Sequence, residues 1–188
     1  MSTKQKAAVL VEQRLARDRT EAYHDARSLA LELARGEPSA RFDPMSAGVV
    51  LQQGETVYRQ VPIWVRVQEE GLWADASFAE VLATDVRLLC RFASGHLTHL
   101  TSLWWNGVVG IHIDLVAEQM VLDFGDGQPV SFSGSTVATV AVVGISAVYG
   151  TDAMLTHRAL APLRTTAQHH QTVDRPRSAA SEPLPGNN

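Results

Sequence analysis

The segment Ile63-Trp64-Val65-Arg66-Val67 gives the clearest indication of a β fold in this sequence. Successive side chains of a β-strand point to opposite faces, so the three aliphatic residues share one face and Trp64 and Arg66 share the other. One apolar face and one mixed face are typical of a half-buried antiparallel strand. The same alternation recurs in Leu88, Cys90 and Phe92 and in Ile111, Ile113 and Leu115.

Turn signals divide this region into about seven short strands, which suits a small antiparallel β-barrel. Asn106-Gly107, between two tryptophans and two valines, predicts a type I′ hairpin, because both central residues of that turn need positive φ. The other signals are Glu70-Gly71, Thr84-Asp85, Ser94-Gly95, Ala117-Glu118 and Gly125-Asp126-Gly127.

Residues 136–149 are apolar on every side, and no charge occurs between Asp126 and Asp152. The segment is shorter than the roughly 20 apolar residues of a membrane span. Ser135 is a good helix N-cap and Gly150 a good residue just past a helix end, so a buried helix is predicted. One of its faces would close the barrel, and the other would receive the N-terminal helix or a partner.

Residues 3–35 predict one long amphipathic helix, which Gly36-Glu37-Pro38 ends. Its thin apolar stripe either docks on the barrel or pairs with a second copy, giving a homo-oligomer through residues 3–35. Membrane contact is a further alternative, disfavoured by the mixed charge of the polar face. The stripe consists of Ala8, Val11, Leu15, Ala22, Ala26, Leu29 and Leu33.

The predicted organisation is therefore mainly β with flanking helices. Residues 1–36 hold the N-terminal helix and 37–49 a linker. Residues 50–163 form the barrel with its capping helix, and 164–188, with three prolines, read as a disordered tail.

Composition limits the function classes. The 188 residues carry a net charge of −4, and residues 50–163 hold five Arg against eleven Asp and Glu, which gives −6. Nucleic acids attract the opposite sign, so no nucleic-acid partner is expected. Cys90 is the single cysteine, and the N-terminus lacks the apolar core of a secretory signal, which favours a cytoplasmic location.

Three stretches together resemble the pleckstrin-homology-like (PH-like) superfold, in particular its bacterial PH-like and GRAM-like members. Leu51-Gln-Gln-Gly-Glu-Thr-Val-Tyr58 is similar to the lead-in to the family's first strand. Val81-Leu-Ala-Thr-Asp-Val-Arg-Leu-Leu89 is similar to its Leu-x-Thr-Asp/Asn-x-Arg-Leu turn. Residues 137–149 stand where its closing helix would be. The resemblance covers about residues 50–155 and implies a binding role without catalytic residues.

Many PH domains hold inositol phosphates with basic residues of the first hairpin loop. Here that loop, about residues 68–79, has three carboxylates and neither Lys nor Arg. Arg59 and Arg66 precede it and are the candidate phosphate ligands, although two guanidiniums facing three carboxylates make a poor phosphate site. Arg87 is a further candidate ligand contact. More simply, Thr84 and Asp85 cap a tight turn and Arg87 reaches back to Asp85.

No pattern of catalytic residues is present, so the chain is expected not to be an enzyme and to use no cofactor. Nucleotide-binding and nucleophile motifs are absent from the sequence. The spacing of His96, His99 and His112 matches no standard metal signature, and surface histidines are the simpler interpretation.

Trp104 and Trp105 are neighbours on a predicted strand, so only one can face the core. The outward ring either anchors an interface or lies beneath the N-terminal helix. The hypothesis that follows is a non-enzymatic adaptor or scaffold that binds a protein partner. A membrane-associated module and a structural homodimer, both acting through the N-terminal helix, are the alternatives.

Overall fold

A long N-terminal helix precedes an eight-stranded antiparallel sheet, which short helices follow. The computed structural model describes residues 3–37, 42–44, 47–94 and 97–164, so the predicted tail from residue 165 and His96 lie outside the described residues. The helices are α1 (Thr3–Arg35), α2 (Val137–Tyr149) and α3 (Thr151–Thr156), with 3-10 turns at Trp105–Gly107 and Arg158–Leu160. The strands are β1 (Val57–Glu69), β2 (Leu72–Trp73), β3 (Ser77–Thr84), β4 (Arg87–Ser94), β5 (Leu97–Trp104), β6 (Gly110–Asp114), β7 (Gln119–Asp123) and β8 (Val130–Ser133).

The sheet has the strand order β5-β4-β3-β1-β8-β7-β6, with β2 paired to the end of β1. The prediction of a mainly β fold with a long N-terminal helix and a closing helix is therefore confirmed. The predicted barrel is not closed, because β5 and β6 stand at opposite ends of the strand order and no ladder joins them in the described part of the chain.

The hairpin predicted at Asn106-Gly107 is wrong, and β5 and β6 do not form a hairpin. A 3-10 turn occupies Trp105–Gly107, and positive φ is found at neither Asn106 nor Gly107. The Trp105 side chain turns into the core, where its Nε1 donates to the Thr84 carbonyl oxygen at 2.9 Å. Strand β6, which follows, pairs with β7. The two-residue turn with positive φ at both positions forms at Glu70-Gly71, between β1 and β2.

Alternating residues of the strands form the inner face of the sheet, as the sequence predicts. Ile63 and Val65 are buried while their neighbours Trp64 and Arg66 are exposed. Helix α2 packs on this inner face, and its residues 137–145 are all buried. Helix α1 packs on the other side of α2, so a helix that is apolar all round is covered from both sides.

The ends of α2 differ partly from the prediction. Thr136, not Ser135, is the N-cap, and its Oγ1 donates to the Pro62 carbonyl oxygen at 2.5 Å instead of capping the helix. Gly150 ends the helix as predicted. Its φ is 89°, and its amide donates to the Ser146 carbonyl oxygen. Among the described residues, no helix combines the length and apolarity that crossing a bilayer requires.

Only the C-terminal half of α1 is docked. Ala26 and Leu29 are 0% exposed, whereas Leu10, Val11 and Leu15 are between 59% and 66% exposed. Polar contacts reinforce the docked half: Tyr23 donates to the Leu115 carbonyl oxygen at 2.8 Å. The stripe seen in the sequence is therefore divided between the protein's own core and the surface.

The outer face of β3 and β4 is covered by the chain that precedes β1. Phe42, Ala47 and Val49 pack against Leu82 and Leu89. Arg91 donates to the Ala47 carbonyl oxygen at 3.0 Å. The described part of the predicted linker therefore packs on the sheet, because the apolar outer residues of these two strands need a cover.

Two leucines on the apolar stripe of α1 test whether only the C-terminal half of this helix is docked. Leu29→Ala is expected to lower the free energy of unfolding by about 3 kcal/mol, since it leaves a cavity in the core. Leu15→Ala, the matched control, is expected to change it by less than about 0.5 kcal/mol, because Leu15 is 63% exposed. Urea unfolding followed by circular dichroism measures both. Equal losses would mean that the whole helix is docked.

Candidate edge groove

An apolar cavity opens at the end of the sheet opposite α2. It has a volume of about 680 Å³. Inner-face side chains of β1, β4, β5 and β8 form most of its walls, and Phe78, on the outer face of β3, also lines it. The apolar lining residues are Val65, Val67, Phe78, Cys90, Phe92, Leu103 and Val130.

A second opening of about 850 Å³ lies along the unclosed seam between β5 and the β7–β8 turn. Val67, Thr101, Leu103 and Val130 line both the cavity and the seam, so the two openings adjoin each other. We call the two openings together the edge groove. Such concave, mostly apolar spaces with a few polar groups are the usual binding sites of proteins.

Strand β5 forms one wall of the edge groove and is an edge strand. It pairs with β4 from Arg87↔Trp104 to Ser94↔Leu97, and its other side has no ladder among the described residues. Residues 98–101 are all exposed. Thr101 and Leu103 line the groove, whereas Thr98, an odd number of positions away, belongs to the opposite face.

The polar groups of the cavity do not form a reactive site. Burial raises the pKa of the Cys90 thiol to about 12, so the thiol stays protonated and unreactive at neutral pH. His99 stacks on Phe92 with ring centroids 5.1 Å apart. His112 is on β6, at the other end of the sheet, so these two histidines do not converge. The described residues include no group of three or more His, Cys, Asp or Glu able to hold a metal ion.

The Arg87 side chain, a candidate ligand contact, forms hydrogen bonds with other residues of the protein. Its guanidinium forms two hydrogen bonds of 2.9 Å with the Glu55 carboxylate, whose side chain is 0% exposed. It also donates to the Val50 carbonyl oxygen at 2.8 Å and to Ser102 Oγ at 3.2 Å. The suggested contact of Arg87 with Asp85 is replaced by this pair with Glu55.

The turn interpretation is confirmed for Thr84, whose Oγ1 accepts from the amides of Val86 and Arg87. Asp85 Oδ1 instead accepts from the amide of Thr56, just before β1, at 2.9 Å. Thr84 Oγ1 also lies 2.9 Å from Glu55 Oε1. Sequence reasoning missed Glu55, whose only signal was its position in the Gly-Glu lead-in to β1.

The two tryptophans divide as expected. Trp105 is 5% exposed and packs against Gly144 of α2. Trp104 is half-buried on the outer face, where the Arg87 guanidinium carbon lies 4.6 Å from its ring centroid. The outward Trp104 ring therefore packs against the Arg87 guanidinium and not beneath the N-terminal helix.

The two candidate phosphate ligands lie in different surroundings. Arg59 donates to Asp25 at 2.8 Å and to both oxygens of Glu32, so it fastens α1 to the sheet. Hydrogen bonds from Arg59 to Glu32 are the main reason that the pKa of this arginine is raised. Arg66 is exposed on the outer face of β1, opposite Ser131 of β8. The structure does not bring Arg59, Arg66 and Arg87 together.

A second apolar surface lies beside the exposed half of α1. Trp64 and Phe78 meet edge to face on the outer side of the sheet, with centroids 5.3 Å apart. They face a cleft of about 540 Å³ that Leu15 and Ala16 of α1 also line. Trp64 is 47% exposed and Phe78 53%.

Neither a protein-family model nor a curated protein matches this chain.

Proposed function

We propose that this protein is a non-enzymatic interaction module that binds an extended segment of a protein partner in the edge groove. The observation that carries the proposal is the side of β5 that pairs with no other strand among the described residues, beside an apolar groove. An edge strand offers unpaired backbone N–H and C=O groups, and an extended peptide can pair with them as a further strand.

The groove suits such a strand in shape and chemistry. Alternate side chains of an added strand would point inward, toward Leu103, Phe92 and Val130. Burial of apolar side chains there supplies affinity at about 25 cal/mol per Å² of apolar area, before the cost of ordering the peptide.

Two threonines on opposite faces of β5 test the site. Short random peptides displayed on phage are selected on the immobilised full chain, and the strongest binder is then measured against variants. Thr101→Trp fills the groove and is expected to weaken binding at least about tenfold, the loss typical of blocking the centre of an interface. Thr98→Trp, the matched control on the other face, should bind within about twofold of wild type.

Equal effects of the two tryptophans, or no selected binder at all, would contradict the proposal. Amide hydrogen exchange provides a second measurement, because unpaired N–H groups of β5 exchange rapidly until a strand covers them. Peptide binding should slow their exchange. If these amides were already protected in the free protein, the groove would be filled by the chain itself or by a second copy.

The exposed half of α1 favours a second candidate, assembly through residues 3–35. Val11 and Leu15 of the stripe are exposed, and Leu15 lines the Trp64–Phe78 cleft. The same stripe is the basis for the membrane-contact alternative. Light scattering of the full chain distinguishes them, since only self-association doubles the mass in solution. Membership of the PH-like superfold likewise stays a proposal.

A further inference from the structure

The rim of the edge groove is acidic. Glu69 and Asp75 line its mouth, and Asp126 lines the seam. Glu70 stands beside Glu69 at the tip of the β1–β2 hairpin. Of the described residues, those that line the groove include neither Lys nor Arg. The mouth therefore gathers negative charge around an apolar interior.

Within the described residues, no ion pair involves Glu69 or Asp75 at the mouth. Three other glutamates of the sheet domain, Glu55, Glu80 and Glu118, each form an ion pair with an arginine. A neutral apolar segment bound over Glu69 and Asp75 would displace the water that hydrates both carboxylates and supply no hydrogen bond in its place. Burying an unpaired carboxylate in this way has a high free-energy cost.

We infer that the segment bound in the edge groove carries Lys or Arg at the mouth and apolar residues further in. This inference rests on the proposed function and specifies its partner. Charge complementarity across an interface favours the correct partner and repels others. An arginine or lysine at the mouth would replace the lost hydration of Glu69 and Asp75.

The register of the sheet explains why the acidic residues and the apolar residues lie at different ends of the groove. Ser77 pairs with Val65 at the start of β3, so Asp75 lies just beyond the paired region, at the mouth. Leu103 is near the other end of β5, paired with Leu88. The cationic residue therefore belongs at one end of the added strand, with apolar residues at alternate positions toward the other end.

Sequencing the phage-selected peptides provides the first test. We expect the bound pool to be enriched in peptides with Lys or Arg at one end of an alternating apolar segment. The strongest binder is then synthesised with its cationic residue replaced by Gln or by Glu. Binding should weaken about threefold with Gln and about tenfold with Glu, and the loss should shrink at high salt.

Variants of the protein separate this inference from the proposed function. The double variant Glu69→Gln, Asp75→Asn should bind the cationic peptide about fivefold more weakly. The control Glu21→Gln, Asp152→Asn removes two exposed carboxylates that do not line the groove, and should bind as wild type does.

Two outcomes would overturn the charge preference. If Thr101→Trp abolished binding while Lys, Gln and Glu peptides bound equally, the groove would stand as the site and its cationic preference would be wrong. If both double variants lost affinity equally, the effect would come from net charge and not from the rim. Failure of Thr101→Trp to weaken any peptide would instead contradict the proposed function.

Discussion

Replacing Glu55 with alanine is expected to lower the free energy of unfolding by about 3–5 kcal/mol, because it leaves the Arg87 charge buried without its partner. The Arg87 side chain is 10% exposed and that of Glu55 is 0% exposed. Water therefore cannot replace the lost carboxylate. Urea unfolding measures the loss.

Two comparisons make this result specific. Glu21→Ala removes a glutamate from the exposed Arg17–Glu21 pair and should cost less than about 0.5 kcal/mol. The double variant Glu55→Leu, Arg87→Met removes both charges and should recover much of the single-variant loss. A Glu55→Ala cost as small as that of Glu21→Ala would show that the pair does not stabilise the fold.

The same pair predicts a pH dependence. Burial alone would raise the pKa of Glu55, but hydrogen bonds from Arg87, the Gln52 amide and Thr84 outweigh it and lower the pKa below its ordinary value of 4.5. Stability from this group is thus fully present above that value and is lost as pH falls through the lowered folded-state pKa. The stability difference between wild type and Glu55→Gln should therefore narrow on acidification below about pH 4.5.

Trp105→Ala is expected to lower the free energy of unfolding by about 3–5 kcal/mol. The ring is 5% exposed, and a Cβ at Gly144 would lie only 3.3 Å from it, so ring and helix α2 are closely packed. The variant leaves a large cavity and removes the hydrogen bond that the Thr84 carbonyl oxygen accepts from the indole. Thermal and urea unfolding measure the loss.

Trp104→Ala is the natural control, because the two residues are adjacent. Trp104 is half-buried, and its replacement by alanine removes mainly the contact with the Arg87 guanidinium. That contact is worth about 1 kcal/mol. Similar losses for the two tryptophans would contradict the assignment of Trp105 to the core and Trp104 to the outer face. A Trp104 variant that retained stability but lost peptide binding would extend the partner surface to the outer face.

Much of the architecture could be read from short-range patterns. The period-two alternation around Ile63 predicted strands whose inner residues are buried. The apolar segment flanked by Gly150 predicted α2, and the three-and-four spacing of α1 predicted a helix with the observed bounds. These patterns succeed because backbone geometry fixes which side chains share a face.

The candidate site was much less accessible to sequence reasoning. Arg59, Arg66 and Arg87 carry the charge that a ligand site needs, yet two of them are held by Glu32, Asp25 and Glu55. The partners of Arg59 and Arg87 are distant in sequence, so spacing offered no sign of them. The edge groove was equally hidden, because it exists only where the sheet fails to close.

Short-range patterns were enough to predict most strands and helices and the apolar side of each. The separation of β5 from β6, the docked half of α1 and the pairing of the charges depend on contacts between distant parts of the chain. The difference lies in the range over which these interactions act. Alternation and capping act between residues close in the chain, whereas the Trp105 contact with Gly144 and the Glu55–Arg87 pair join residues that only folding brings together.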